Sequence, residues 1–273
     1  MTTLNPQQII NQIESAGAWL PLTVVRQAFT QHEALMPIFL EAVRQRAAPK
    51  GLLDIRHQRL AAFGLFFLAQ HREPRMFDPL IRLFESVDSA QQDEWLFATR
   101  LFFFSHRLLA GVCPSDPKRV MDLASDSKAN PFTRSIAVCT IGMLAAYGDI
   151  TRAEAVRWHR ELFKMVQNLK HDFLDGCWAR AATKLHSAEF ERELQWFLAS
   201  GRLNRHDRSI ISGAIRSHHE ENFASIVALE PMVDIFLNIF PQDMRDGEIG
   251  LLPNGQIPNL NRFAEIESEP RTN

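Results

Sequence analysis

Cysteine is scarce in this chain of 273 residues, and its three cysteines, Cys113, Cys139 and Cys177, lie far apart in the sequence. No Cys-x-x-Cys pair is present, which excludes a zinc ribbon and a thioredoxin-type redox motif. Cys139 and Cys177 have apolar neighbours, and we predict that they act as small hydrophobic residues on helix faces. This usage fits a reducing compartment, so we expect a cytoplasmic protein.

Long hydrophobic runs are also lacking. The most apolar stretches, residues 61–69 and 136–147, are shorter than the roughly 20 residues that a membrane-spanning helix needs. Residues 1–6 have neither the basic nor the apolar part of a signal peptide. We therefore expect no membrane partner.

The motifs of the common enzyme classes are missing. The sequence contains no glycine-rich or Walker-type phosphate loop, no Gly-x-Ser-x-Gly elbow and no His-Glu-x-x-His zinc motif. We predict a protein that is not an enzyme and that uses no cofactor and no metal. A helical enzyme with a hidden metal site is a weaker alternative.

A repeat spaced by about 38 residues is the main feature that is present, and this period is typical of HEAT-like repeats. Apolar, alanine-containing segments are centred on Ala61, Ala98, Ala137 and Ala181. A polar or proline-bearing break follows each of them, and then a shorter amphipathic segment. No two-residue alternation typical of strands is seen. The sequence predicts an all-α protein, a HEAT-like α–α superhelix in which antiparallel helix pairs form a solenoid.

The predicted organisation is a single helical-repeat domain over residues 1–230. Within it, residues 1–50 form N-terminal cap helices and residues 51–217 form the repeats, with a final helix around residues 207–217. Residues 231–273 form a C-terminal segment, and its end is predicted to be irregular and partly mobile because glycine and proline recur after residue 247.

Local signals mark where helices begin and end. Asparagine followed by proline at Asn5 and Asn130 is typical of an N-cap and a first helical residue. Thr151 and Glu154 have the spacing of a capping box. Gly148 is placed to end a helix in the left-handed conformation.

Several segments resemble a bacterial family known as domain of unknown function 1186. The residues that carry this resemblance are 68–75, 109–112, 134–137, 144–156 and 158–163. The similar region covers roughly residues 60–198. The resemblance implies an α–α superhelix without an assigned activity, and it supplies no catalytic residues. Some family members add a cysteine-rich zinc motif, but residues 250–273 contain no cysteine, so no metal-bearing C-terminal module is expected.

Basic residues gather in the last predicted repeats, and arginine supplies 24 of the 30 basic residues of the chain. Arginine forms bidentate contacts with carboxylates and phosphates. We predict a binding surface for a protein or peptide partner on the concave face of the solenoid. Its candidate residues are Arg202, Arg205, Arg208, Arg216, Lys184 and Trp178. The alternative is a solvated surface whose charge is balanced by Glu189, Glu191 and Glu193.

Nucleic acid is the second candidate partner. The arginine excess, Trp158, Trp178 and the basic cluster that includes Arg202 favour a nucleic-acid-binding protein with a basic concave face, which resembles the HEAT-fold alkylation-repair glycosylases. The formal net charge of −2 argues against it, because phosphate binding needs a clustered positive surplus.

Three consecutive aromatic residues, Phe102, Phe103 and Phe104, span most of a helix circumference. At least one of them faces outward unless another layer covers it. The cover is either the apolar segment 233–240 or a second copy of the chain in a homodimer. Without a cover, an apolar groove is exposed.

Overall fold

The computed structural model describes residues 3–16, 22–48, 55–86, 101–113 and 116–217. All regular structure in these ranges is helical, which confirms the predicted all-α class. The α-helices are α1 (Pro6–Ser15), α2 (Leu22–Thr30), α3 (His32–Arg46), α4 (Ile55–Gln70), α5 (Phe77–Glu85), α6 (Leu101–Gly111), α7 (Lys118–Ser125), α8 (Pro131–Tyr147), α9 (Arg152–Leu169), α10 (Asp172–His186), α11 (Glu191–Ser200) and α12 (Arg205–Ser217). Short 3₁₀ helices, Pro74–Met76 and Ser187–Phe190, precede α5 and α11.

Several of the described helices begin where the side chain of a capping residue accepts a hydrogen bond from a free backbone N–H group. Asn5 accepts a hydrogen bond from the backbone of Gln8, and the Gln8 side chain accepts one from the backbone of Asn5. Asn130 accepts from the backbone N–H of Thr133 at 2.7 Å, so α8 begins at Pro131. The capping box that was predicted at Thr151 is formed with Glu154 and starts α9.

Gly148 ends α8 with a φ of +78°, as the sequence predicts. The start of α12 differs from the prediction, because the helix begins at Arg205 rather than near residue 207. The side chain of Asn204 accepts a hydrogen bond from the backbone N–H of Asp207 at 2.9 Å, and this interaction caps the helix earlier.

From α4 onward, alternate helices pack against one another along the chain. α4 contacts α6, α6 contacts α8, α8 contacts α10, and α10 contacts α12. The intervening helices make a second set of contacts: α7 and α9 pack on α8, and α11 packs on α10 and α12. One connected cluster of buried apolar side chains runs from Ile9 to Ile211. Burial of each large side chain in this cluster contributes roughly 1.5–3 kcal/mol.

None of the described helices combines the length and the apolar character that crossing a bilayer requires. The division into cap helices and repeats stays a prediction. Residues 218–273, with the predicted C-terminal segment 231–273, lie outside the described residues.

At Gly111, α6 lies close to the backbone of Ala69 in α4. A Cβ atom at this position would lie 2.7 Å from the carbonyl oxygen of Ala69 and 2.9 Å from its Cβ. We expect Gly111→Ala to lower the free energy of unfolding by about 1–3 kcal/mol, because two helix backbones would have to separate. Denaturant unfolding measures this change.

Gly142→Ala in α8 is the matched control. Its added Cβ would meet only Leu185, at 3.7 Å, which is an ordinary contact. Alanine is also the better helix former, so we expect a gain of up to about 1 kcal/mol. Equal losses in the two variants would contradict the close packing of α4 on α6.

Candidate binding surface on the last helices

Arg202 belongs to the interior of the fold. Its guanidinium donates to both carboxylate oxygens of Asp175 at 2.7 Å, and to the carbonyl oxygens of Gln167 and Val166 at 2.9 Å. The Arg202 side chain is 14% exposed and the Asp175 side chain is 0% exposed. Arg202 thus joins the end of α9 to α10, and the structure corrects its assignment to a solvent-facing surface.

The ion pair between Arg202 and Asp175 is largely buried and has aromatic neighbours. The Arg202 guanidinium lies 5.3 Å from the centre of the Trp196 ring and 5.9 Å from that of Phe197, within cation–π range. Burial raises the pKa of the Asp175 carboxyl, although the Arg202 hydrogen bonds act in the opposite direction. Arg202 therefore favours the charged form of Asp175, against the effect of burial.

Trp178 is the largest fully buried side chain in the described part of the chain. Its Nε1–H donates to the carbonyl oxygen of His159 at 2.9 Å. Its ring lies 5.0 Å from Phe163, 5.7 Å from Phe190 and 5.5 Å from Phe197, measured between ring centroids. Trp178 thus offers no surface to a partner, and this placement corrects its assignment as a binding residue.

His159 shares this core and is also fully buried. Burial lowers the pKa of its imidazole to about 4, so the ring is neutral at pH 7. Its Nδ1 lies 3.1 Å from the carbonyl oxygen of Ala155, one turn earlier in α9, and donates to it in the neutral ring. The histidine is thus a neutral core residue beneath Trp178.

A second charged pair connects α10 to α12. Asp207, which is 1% exposed, accepts hydrogen bonds from the guanidinium of Arg180 and, at 2.6 Å, from the side-chain amide of Asn204. Gly176 makes room for this carboxylate, because a Cβ there would collide with it. The charge of Asp207 is therefore directed inward, toward Arg180.

The arginines of α12 lie on the side of the helix opposite to Asp207. Arg205, Arg208 and Arg216 are exposed, whereas Asp207 is buried. At about 100° per residue, the three arginines lie within roughly 80° of one another around the helix axis. We call these three residues the basic face. Asp207 is the single acidic residue of α12, so its exposed side carries only positive charge.

Lys184 of α10 is also exposed. Of the three glutamates that were expected as an alternative to balance the cluster, two form ion pairs with arginines elsewhere, and Glu191 accepts a hydrogen bond from the side chain of Gln195 at 2.9 Å. Glu189 lies 3.3 Å from Arg152, and Glu193 lies 4.0 Å from Arg160. Both partners belong to α9, which leaves the basic face without these carboxylates.

The aromatic run is described only in part. Phe104 is half-buried, and its ring lies 6.4 Å from that of Phe66 in an edge-to-face arrangement. The side chains of Phe102 and Phe103 and the segment 233–240 lie outside the described residues. The predicted homodimer contact stays a prediction.

The structure also brings together Cys139 of α8 and Cys177 of α10, which the sequence interpretation treated as separate small hydrophobic residues. The Cys139 Sγ atom lies 4.0 Å from the carbonyl oxygen of Cys177, and Arg180 donates to the Cys177 Sγ atom at 3.2 Å. The two cysteines are 38 residues apart, which matches the repeat spacing of about 38 residues that the sequence predicts. This spacing is the sequence signal that could have indicated their proximity.

The family match covers most of the residues that the structure describes. The family model described as "Protein of unknown function (DUF1186)" matches residues 4–205, from just before α1 to the first residue of α12. The chain belongs to the DUF1186 family. This confirms the resemblance that was identified in the sequence, and the DUF1186 description assigns no activity. Arg208 and Arg216 of the basic face lie beyond the matched residues.

Two relatives of this DUF1186 protein come from Chlamydia. An uncharacterized protein of Chlamydia trachomatis serovar D is 23% identical over 174 residues, which cover 63% of this chain and 67% of the relative. An uncharacterized protein of Chlamydia muridarum is 25% identical over 146 residues, or 52% of this chain. The chain spans 57% of the length of that second relative. No solved structure matches the chain.

Proposed function

We propose that this DUF1186 protein is a non-enzymatic scaffold or binding module, built as a HEAT-like superhelix. Its basic face on α12 binds an acidic segment of a protein or peptide partner. The stepwise packing of α4, α6, α8, α10 and α12 supports the superhelix, because repeat proteins contact mainly their sequence neighbours. The free cysteines Cys113, Cys139 and Cys177 support a cytoplasmic site of action.

The separation of charge across α12 is the observation that carries this proposal. Its one carboxylate is buried against Arg180, and three arginines point away from it. A planar guanidinium binds a carboxylate through two parallel hydrogen bonds, so a row of arginines suits an acidic peptide. The row extends over three turns of one rigid helix, which fixes its spacing for the partner.

Nucleic acid is the less favoured partner. Arg202 and Trp178, which suggested it, are used inside the fold, and Trp158 is 8% exposed. Their burial leaves fewer cations and aromatic rings for phosphates and bases.

The test is affinity capture with the full chain, from a lysate of cells that express it, with and without nuclease. The double variant Arg205→Glu, Arg208→Glu reverses two charges of the basic face. The control, Arg26→Glu with Lys128→Glu, makes the same charge change at exposed positions elsewhere. We expect a nuclease-resistant protein that the wild type and the control retain and that the basic-face variant loses by at least about tenfold, since charge reversal replaces attraction by repulsion.

Two results would overturn the proposal. Equal retention by both double variants would show that the basic face does not bind. Loss of the retained material on nuclease treatment would favour a nucleic acid instead.

A further inference from the structure

Two thiols from neighbouring long helices meet beside an arginine. The Cys139 Sγ atom of α8 lies 4.0 Å from the carbonyl oxygen of Cys177 in α10, and Arg180 donates to the Cys177 Sγ atom at 3.2 Å. Cys177 is 5% exposed and Cys139 is half-buried.

The surroundings of the two sulfurs differ in a way that assigns them different roles. The Cys177 Sγ atom accepts a hydrogen bond from Arg180 at 3.2 Å, and the interactions with Cys139 and Arg180 lower the pKa of Cys177. The interaction with Cys177 and burial raise the pKa of Cys139. Cys177 is thus the thiolate of the pair, and the thiolate is the reactive form of cysteine.

Cys113 provides an internal contrast. It is buried at the end of α6, and burial raises its pKa to about 12. No cation lies within hydrogen-bond distance of its sulfur among the interactions of the described residues. It is a thiol in the same chain that is expected to be inert.

We propose that Cys139 and Cys177 form a redox modification site, which a peroxide converts into an intramolecular disulfide between α8 and α10. The Cys177 thiolate attacks one peroxide oxygen, the O–O bond breaks, hydroxide leaves, and a sulfenic acid forms on Cys177. The Cys139 sulfur then attacks the sulfenic sulfur, the S–O bond breaks, and water leaves with the proton of Cys139. Overall, two thiols lose two electrons and two protons, and the peroxide is reduced to two molecules of water.

Arg180 is a positioning residue in this scheme. It holds the Cys177 sulfur with one nitrogen, and its other terminal nitrogen pairs with Asp207 of α12. Oxidation removes the negative charge from Cys177 and leaves Asp207 as the partner of Arg180. The disulfide also closes a loop of 38 residues, which ties α8 to α10. This inference is independent of the proposed binding function.

The test uses the full chain, reduced and then exposed to a few equivalents of hydrogen peroxide before alkylation. Trypsin places the three cysteines in separate peptides, 108–118, 135–152 and 171–180. We expect peptides 135–152 and 171–180 to be recovered as one disulfide-linked species, and peptide 108–118 to carry the alkyl group. If all three thiols are alkylated, or if the disulfides join different chains, the proposal is wrong.

Single-residue variants distinguish the roles of the three cysteines and of Arg180. In Cys139→Ser, a sulfenic acid is expected to persist on Cys177, where a dimedone-type reagent traps it. Cys113→Ser is expected to behave as the wild type. Arg180→Gln is expected to slow thiol loss by roughly tenfold, and Arg180→Lys to restore much of the rate, because a nearby cation stabilises the thiolate. Trapping on Cys113, or an unchanged rate in Arg180→Gln, would contradict these roles.

Discussion

Replacing Arg202 with alanine is expected to lower the free energy of unfolding by about 3–5 kcal/mol, which is the usual penalty for leaving a buried charge without its partner. Asp175 is 0% exposed and receives two hydrogen bonds from Arg202. The variant also leaves the carbonyl oxygens of Val166 and Gln167 without their donor. Denaturant unfolding of the full chain at pH 7 measures the loss.

The pH dependence distinguishes this cause from a general loss of packing. Burial already holds the pKa of Asp175 above its ordinary value of 3.8, and the loss of Arg202 raises it further. At a pH between the pKa of Asp175 in the unfolded chain and its raised pKa in the folded variant, the folded state binds more protons than the unfolded state. The free energy of unfolding therefore falls as the pH rises. We therefore expect the deficit of Arg202→Ala to be largest near pH 7 and to shrink as the pH falls toward about 4.

Arg119→Ala is the matched control for Arg202→Ala. Arg119 pairs with Asp78, but both side chains are exposed, at 44% and 63%. Solvent screens such a pair, so we expect a loss of about 1 kcal/mol or less. A similar loss in the two variants, or a pH-independent deficit in Arg202→Ala, would show that Arg202 is not a buried partner of Asp175.

The second large effect is expected for Trp178→Ala, at about 3–5 kcal/mol, because it empties the centre of an aromatic cluster. Trp178 is fully buried among Phe163, Phe190 and Phe197, and its indole N–H is bonded to His159. Trp178→Phe retains most of the ring volume but loses this hydrogen bond, so we expect a smaller loss of about 1–2 kcal/mol. Denaturant unfolding again provides the comparison.

Ile210→Ala serves as the surface control for Trp178→Ala. Ile210 lies in α12 and is 39% exposed, so its truncation is expected to change stability by about 0.5 kcal/mol. If Trp178→Ala were as stable as Ile210→Ala, the indole would lie outside the core and its original assignment to a binding surface would regain support.

Helix boundaries were well predicted from the sequence because capping depends on a few adjacent residues. Asn130 with Pro131, Thr151 with Glu154, and Gly148 each act within one helical turn. The signal that they give is local, so no knowledge of the tertiary fold is needed to interpret it. The family resemblance was likewise carried by residues that the DUF1186 match includes.

The basic cluster was harder to predict because charge in a sequence does not show which side chains are buried. Asp175 and Arg202 are 27 residues apart, as are Arg180 and Asp207. Only the packing of α12 against α10 brings these pairs together and separates Arg202 from Arg205 and Arg208. The outward direction of the basic face becomes evident once Asp207, Ile211 and Ala214 are known to be buried.

The proximity of Cys139 and Cys177, in contrast to the buried ion pairs, was indicated by their spacing in the sequence. Cys139 and Cys177 are 38 residues apart, which matches the predicted repeat spacing, and equivalent positions in adjacent repeats are expected to lie side by side. Their closeness to Arg180 could not be inferred in the same way, because it depends on side-chain conformations in α10.

Site-specific photo-cross-linking in cells that express the protein tests the binding role of the basic face most directly. A photoreactive residue replaces Ser209, which is exposed on α12 between Arg208 and Arg216, or Thr30, which is exposed at the end of α2. We predict a discrete cross-linked protein from position 209 and none from position 30. Cross-linking from position 30 alone, or from neither position, would contradict the assignment of partner binding to α12.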